Sequence, residues 1–534
     1  MRVFLFFLFI ATICLFGCGK KKSSLESTNS CLNISIGSNL RTLDPRLGGE
    51  DPAPHIIRML FDGLFRRDKE GVLAPAVVES YELSEDKKVY TFYLKKTFWN
   101  DGAPVTAYDF EYAWKLSLQP ETLSHGAQYF YIIKNAKACV NGKLSVDQLG
   151  IQAIDAHTFR VELENPTPYF LGLLDCPLFF PIPKHLAEKD LSWANRLDGT
   201  FVSNGPFKLE RWKRNDYILV VKNENYWDQD CVQLPGIHLS FIEDSMTQFY
   251  LFEKGKLDWV GSPLNKLSSE VVDSLTTHLN FSTLEGPFVY WFFINIDRFP
   301  LNNKKLRQAL SYAINRKNIV ENIFNKRGEP AQAVVAPCFK LGGGAYFRDN
   351  NVLLARRLFE EALEELNLTR ETFPQIHLKY ASGFEAFSRI AQEVQEIWRK
   401  ELGIHINLEQ ADWPVHFTAV QKGGYDVGFM GWRTFTYDPI YMLQNFKHKN
   451  DMVNMSNWEN EKYLELLEQS DREPDPEKRK KILIAAEQLL IEEMVVIPIC
   501  FLNQNFSFSP RLSGVLVQAS GDIDFKFAKL APCQ

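Results

Sequence analysis

Apolar positions recur along this chain with two periods. Leu32, Ile34 and Ile36 are separated by single polar residues, and Tyr90, Phe92 and Leu94 repeat the pattern. Alternation of this kind predicts strands with one face buried. After the turn "NDGAP" (100–104), Thr106 stands where a cap belongs and predicts a helix from Ala107 to about Ser117. A second period begins at residue 303. Leu306, Leu310, Ala313, Ile314 and Ile323 keep helical spacing behind Asn302 and Asn303, which offer caps. Ile390, Val394, Ile397 and Trp398 mark one face of a helix over 385–402, and Gly403 stands where a left-handed residue ends such a helix. The strand "IHINLEQ" (404–410) follows, then the amphipathic "KRKKILIAAEQLLIEEM" (478–494) and the strand-like "VVIPIC" (495–500). Helix alternating with strand across 303–500 predicts an α/β lobe with a largely parallel sheet. Ligands of such lobes sit at strand ends.

One strand end is unusual in composition. In "KGGYDVGFMGWRTFTYDP" (422–439), a strand-like run from Tyr425 to Met430 ends at Gly431-Trp432. Arg433, Thr434, Thr436, Tyr437 and Asp438 then crowd in before Pro439. A structural loop needs turn chemistry, not an indole, a guanidinium and a carboxylate together. The mixture suits a cleft wall that holds a ligand.

The ends and the composition narrow the class. Arg2 precedes the apolar run Val3–Phe16 and then Gly17-Cys18. The run is too short for a spanning helix, which needs roughly 20 residues, and it fits a secretory signal. "LFGC" resembles the lipobox of bacterial lipoproteins, so residues 1–17 read as a signal peptide, Cys18 as the lipidated residue, and 18–31 as a flexible tether. An ordinary signal peptide or an uncleaved anchor is the alternative. The remaining residues, about 500, exceed a single core, so two or three lobes are expected. Losing residues 1–17 removes only Arg2 and moves the formal charge from −6 to −7, which speaks against a nucleic-acid partner.

Catalytic and metal motifs are missing. The ten histidines form no H-E-x-x-H, and there is no G-x-S-x-G elbow, phosphate loop or calcium loop. Apart from Cys14 and Cys18, seven cysteines remain at 31, 139, 176, 231, 338, 500 and 533, without a C-x-x-C pair. That spacing holds no zinc. The odd number leaves at least one thiol unpaired within a monomer and gives no connectivity. No enzyme and no cofactor are expected.

Several segments, in order, carry a resemblance. "LAPAVVESYELSEDKKVYTFYLKKTFWNDGAPVTAYDFEYAWKLSL" (73–118), "SNGPFKLERWKRNDYILVVKNENYWD" (203–228), "FEKGKLDWV" (252–260), "FFINIDRFPLNNKKLRQALSYAINRKNIV" (292–320), "RGEPA" (327–331), and 401–417 with 423–439 resemble the extracellular solute-binding proteins of the peptide/nickel class, the receptors of ABC importers. The resemblance runs from about 34 to 500. It implies a periplasmic-binding-protein-like clamshell of two α/β lobes joined by a hinge, with an inserted extra domain. Lobe I comprises 32–62, 187–288 and 500–534, the inserted domain II 63–186, and lobe III 289–499. The implied function is capture of oligopeptides by a lipid-anchored monomer that hands them to an ABC permease and its ATPase. A dipeptide, murein peptide or metal chelate as ligand, or a non-transport sensor or adhesin, are the alternatives.

The resemblance also implies where ligand sits. Peptide-binding members place an aspartate three residues after the tryptophan of the strand end, against the ligand's ammonium. Here that position is Phe435, and the next acid is Asp438. Either Asp438 reaches the ammonium instead, or the ligand presents another group there; a plain turn before Pro439 is the competing reading. Arg433 suits a carboxylate or phosphate through its fork of donors, Trp432 reads as cleft wall, and Gly431 as exposed backbone for strand-like pairing. Trp413, Tyr290 with neighbouring Trp291, Asn295 and Tyr129 line the cleft or pack in the core. Asn39 and Leu40 match a position whose backbone faces ligand. Arg307 and Arg316 are expected on solvated or ion-paired helix faces.

Overall fold

The computed structural model describes residues 31–37, 39–48, 51–122, 126–195, 200–383, 385–434, 436–449, 451 and 453–532. The apolar run Val3–Phe16, Cys18, Phe435 and Cys533 lie outside them. Lobe I opens with strand β1 (Leu32–Ile36), whose predicted alternation places Leu32, Ile34 and Ile36 wholly in the core, and continues into helix α1 (Ala53–Leu60). The inserted domain has its own antiparallel sheet of β2 (Val78–Leu83), β3 (Val89–Leu94), β4 (Ile151–Ala153) and β5 (Thr158–Glu162), in the order β2-β3-β5-β4. Helix α2 (Ala107–Ser117) begins as expected, in a capping box between Thr106 and Asp109.

The chain returns to lobe I through β6 (Phe207–Lys213), β7 (Tyr217–Lys222), β8 (Gly236–Phe241) and β9 (Trp259–Gly261). It crosses to lobe III on β10 (Ser282–Ile294), a strand of 13 residues. Lobe III holds α3 (Lys304–Ala313), α4 (Arg316–Ile323), α5 (Val352–Leu366), β11 (Ile376–Ala381), α6 (Glu385–Leu402), β12 (Ile406–Ala411), α7 (Trp413–Gln421), β13 (Val427–Trp432), α8 (Glu461–Arg472) and α9 (Pro476–Glu493). The chain then crosses back on β14 (Val496–Phe508).

The two crossing strands make one sheet of two lobes, in the order β6-β7-β8-β1-β9-β14-β10-β13-β11-β12. Near lobe I, β14 pairs with β9, Phe506 opposite Gly261; near lobe III, β10 pairs with β13, Ile294 opposite Val427. Between these ends the β10–β14 register shifts from Leu284 to Phe288. The bulge holds Gly286 and Pro287, and a Cβ on Gly286 would strike the Leu502 carbonyl, so glycine is required where the strands cross. A bulge in a two-strand bridge is a natural hinge. The parallel strands β11, β12 and β13 end together at the edge of lobe III that faces lobe I, with an aromatic core behind them in which Phe429 lies 4.6 Å from Phe292 and 4.7 Å from Phe387 between ring centroids.

Three local expectations change. The helix read from 303 to 323 breaks at Ile314-Asn315, because the Asn315 side chain accepts from the Asn318 amide and starts a second helix. Arg307 and Arg316 are ion-paired, as one of the two readings had it, but buried rather than on an exposed helix face; Arg307 lies 3.6 Å from Glu493. Arg316 is fully buried, donates to the carbonyls of Pro498 and Ser311 and to the Ser311 hydroxyl, and pairs with Asp349 at 3.1 Å. Arg307 donates to the carbonyls of Glu493 and Leu301. Each joins a helix to the end of another element, so the charges in this segment work inside the lobe. Finally, Gly431 and Trp432 do not follow their strand; they are its last two residues.

Candidate functional site

β13 keeps its ladder with β10 to the last rung, Trp432 opposite Val289, but its ladder with β11 stops at Phe429 opposite Tyr380. Met430, Gly431 and Trp432 therefore continue past the last β13–β11 rung, with one backbone edge outside that ladder. Where pairing stops, Nε2 of the buried His416 on α7 donates to the Phe429 carbonyl at 3.1 Å. Burial lowers the pKa of this ring, which favours the neutral form. An open strand edge at the mouth of a cleft can take an extended chain as one more strand. Gly431 is glycine for a nearer reason too: a Cβ there would lie 2.6 Å from the Tyr290 ring. Trp432 is half-buried and stacks on the buried Trp291 at 6.2 Å.

The residues after β13 reach other parts of the molecule. Arg433 pairs with Asp51 of lobe I and lies 5.4 Å over the Phe288 ring, in a slot where a Cβ on Gly521 would come within 3.3 Å of Nη1. Thr434 and Thr436 are buried, with the Thr436 amide donating to the Thr434 hydroxyl at 3.2 Å. Tyr437 lies under the Arg67 guanidinium at 3.8 Å. Arg67 in turn shares Asp175 with the buried Arg58 (3.4 and 2.5 Å), so the loop meets both the inserted domain and α1.

Asp438 is held by Arg479 of α9. Nη1 donates to Oδ2 and Nη2 to Oδ1, both at 2.7 Å, while the Ile440 amide donates to Oδ1 at 3.0 Å. Nε of Arg479 donates to the Ser470 carbonyl at 3.0 Å, and the guanidinium lies 4.7 Å over the ring of Tyr169 from the inserted domain. The Tyr169 hydroxyl donates to Asp471 at 2.9 Å. Burial raises the Asp471 pKa, opposed by Lys447, by that hydrogen bond and by Arg479.

The remaining expected residues divide. Tyr129 of the inserted domain stacks on Tyr441 of lobe III at 4.7 Å and so spans two lobes. Trp413 opens α7 at the same sheet edge as Trp432, 42% exposed and stacked on Phe417 at 5.7 Å. Tyr290 packs into the core behind the edge, against Phe387 at 5.1 Å and Phe429 at 5.9 Å, and burial raises its pKa. Asn295 sits next to the rung Ile294–Val427, at the opposite end of β13 from Trp432. Its side-chain amide donates to the carbonyls of Gly423 and Tyr425, so it braces the strand's start rather than the cleft. Asn39 is exposed and exchanges two hydrogen bonds with Asn215, while the Leu40 side chain is core and its carbonyl accepts from Arg214 at 3.2 Å. Asp51, Arg67, Tyr169, Tyr441 and Arg479 escaped the sequence reading because each meets the cleft only through tertiary pairing; Arg479 stands in "KRKK", which reads as a solvated run.

A two-lobed sheet with a hinge at its crossing strands and an open strand edge between the lobes defines a clamshell solute-binding protein. The chain belongs to the bacterial extracellular solute-binding proteins, family 5, whose middle region matches residues 72–454. It is 37% identical to the oligopeptide-binding protein OppA of Bacillus subtilis over 541 aligned residues, which cover 99% of this chain and 98% of that protein. Among solved structures, it is similar to the substrate-binding domain of an oligopeptide ABC transporter from Bacillus anthracis (TM-score 0.78, 28% identity, 94% and 99% of the two chains). It is also similar to the murein tripeptide binding protein MppA of Escherichia coli (TM-score 0.80, 26% identity, 93% and 98%). Those relatives are solute receptors, and the fold expected from the resemblance is the fold found.

Proposed function

We propose that this protein captures oligopeptides between lobes I and III and delivers them to an ABC importer. The observation that carries the reading is the open backbone edge of Met430–Trp432 at the cleft. Main-chain pairing there binds a peptide through groups that every peptide has, which suits a receptor tolerant of sequence. Full-length similarity to an oligopeptide-binding protein supports the same cargo. Closure brings Arg433 to Asp51 and Tyr129 to Tyr441, excluding water and strengthening each polar contact to the ligand. We assign lobe I to 32–62, 187–288 and 500–534, the inserted domain to 63–186 and lobe III to 289–499. Cleavage before Cys18 and lipidation of its thiol would hold a monomeric receptor at the outer side of a membrane, beside a permease driven by its ATPase.

Native mass spectrometry of protein purified gently, without refolding, tests the cargo. The expected spectrum is a ladder of bound masses that fragment as short peptides. A single non-peptide mass would overturn the oligopeptide reading and keep the receptor fold.

A further inference from the structure

A peptide brings a charged amine to its receptor, and the partner that best offsets taking an ammonium out of water is a carboxylate. The acid nearest the open edge along the loop after β13 is Asp438, six residues beyond Trp432. Both its oxygens face the two terminal nitrogens of Arg479 at 2.7 Å, and one also accepts from the Ile440 amide. The partner is as fully engaged as the acid. Nε is spent on the Ser470 carbonyl, and one face of the guanidinium is covered by Tyr169. Each element of the corner holds the cation in place: α9 carries it, the end of α8 caps it, and the inserted domain lays a ring on it. A ligand ammonium would have to displace a bidentate, stacked guanidinium that is already the better-shaped partner for a carboxylate.

We propose that Arg479 is a specificity-determining residue: by occupying Asp438 as an internal cation, it lets the cleft accept ligands whose amino terminus is neutral as readily as those with a free ammonium. The inference rests on peptide capture as the function and adds the class of peptide, including N-acylated ones. The loop after β13 then contributes main chain, Trp432 and the Arg433–Asp51 contact to binding, while its acid serves the fold. The inserted domain takes part through Tyr169, whose ring holds the guanidinium on Asp438 when lobe III and the inserted domain are in contact.

The test uses the full chain freed of lipid and matched pairs of peptides, one with a free amino terminus and one N-acetylated, in isothermal titration. Wild type is expected to bind both members within about threefold. Arg479→Gln uncovers Asp438 and is expected to favour the free amine by tenfold or more. The double variant Asp438→Asn with Arg479→Gln is expected to return to indifference. That return separates a charge effect from damage to the fold, and it removes both charges together, so it remains foldable if Arg479→Gln alone is not. A wild-type preference of tenfold or more for the free amine overturns the inference. So does a double variant whose preference differs from that of wild type. If wild type binds neither peptide, peptide capture itself is overturned, a result distinct from either of these.

Discussion

Asp438 and Arg479 are 13% and 12% exposed, and at that depth an ion pair is no longer a surface ornament. Surface pairs contribute about 0–1 kcal/mol, but removing one member of a nearly buried pair strands the other charge. We predict that Asp438→Asn lowers folding stability by about 2–4 kcal/mol, read from the denaturant midpoint. An unchanged midpoint would place the pair among surface contacts. Arg316 shows the same principle with carbonyls instead of a carboxylate. Desolvation works against its charge, Asp349 works for it, and the carbonyl oxygens of Pro498 and Ser311 complete its shell.

At the scale of elements, three histidines tie helices α1 and α7 and strand β8 to pH. His55 on α1 is 1% exposed, and neither ring nitrogen has a hydrogen bond. Burial lowers its pKa; Asp51 and Asp522 pull the other way, and Arg433 and Arg58 add to the lowering. His416 and the half-buried His238 are lowered as well, each first by burial. With the folded values below the ordinary 6.5, the unfolded chain binds more protons as pH falls through that value. This contribution to stability is therefore present above about pH 6.5 and is lost as pH falls below it, at up to about 1.4 kcal/mol per pH unit for each ring. Asp471 and Glu487, raised by burial, act oppositely, nearer the carboxylate range. His55→Leu gives up no hydrogen bond, so it is predicted to flatten the pH dependence seen in urea midpoints at pH 7.5 and 5. A slope identical to wild type would show that His55 carries none of it.

At the scale of the whole molecule, closure is built from contacts that no single lobe contains. Arg433 meets Asp51, Tyr437 meets Arg67, Lys137 lies 3.5 Å from Asp451, and Tyr129 stacks on Tyr441. Aromatic pairs of this geometry couple by about 0.5–1.5 kcal/mol. We predict coupling of that size in ligand affinity for a double-mutant cycle of Tyr129→Leu and Tyr441→Leu. Additive effects on affinity would mean that the stack persists when the cleft opens, or that binding does not use it. The bulge at Gly286 lies where the lobes are joined by two strands whose register slips.

The repeating elements were legible in the order of residues because their signal is local. Burying one face of a strand or helix imposes a period on apolar positions within a few residues, and β1, β3, α2 and α6 all follow it. The open end of β13 was legible in part: Trp432 and Arg433 stood out by composition, and Arg433 reaches Asp51 of lobe I. Other assignments needed distances that no spacing contains. Asn295 adjoins the rung Ile294–Val427 and Trp432 forms the rung with Val289, five steps along the same ladder, so they lie at opposite ends of β13, because register decides which end faces the cleft. Asp438 read equally as an amine anchor or a turn until α9, 41 residues on, brought Arg479 onto it. Charge along the chain says which groups could pair. The packing of lobes across two hinge strands decides which of them do, since a buried charge settles on the partner that the fold holds nearest and best aligned.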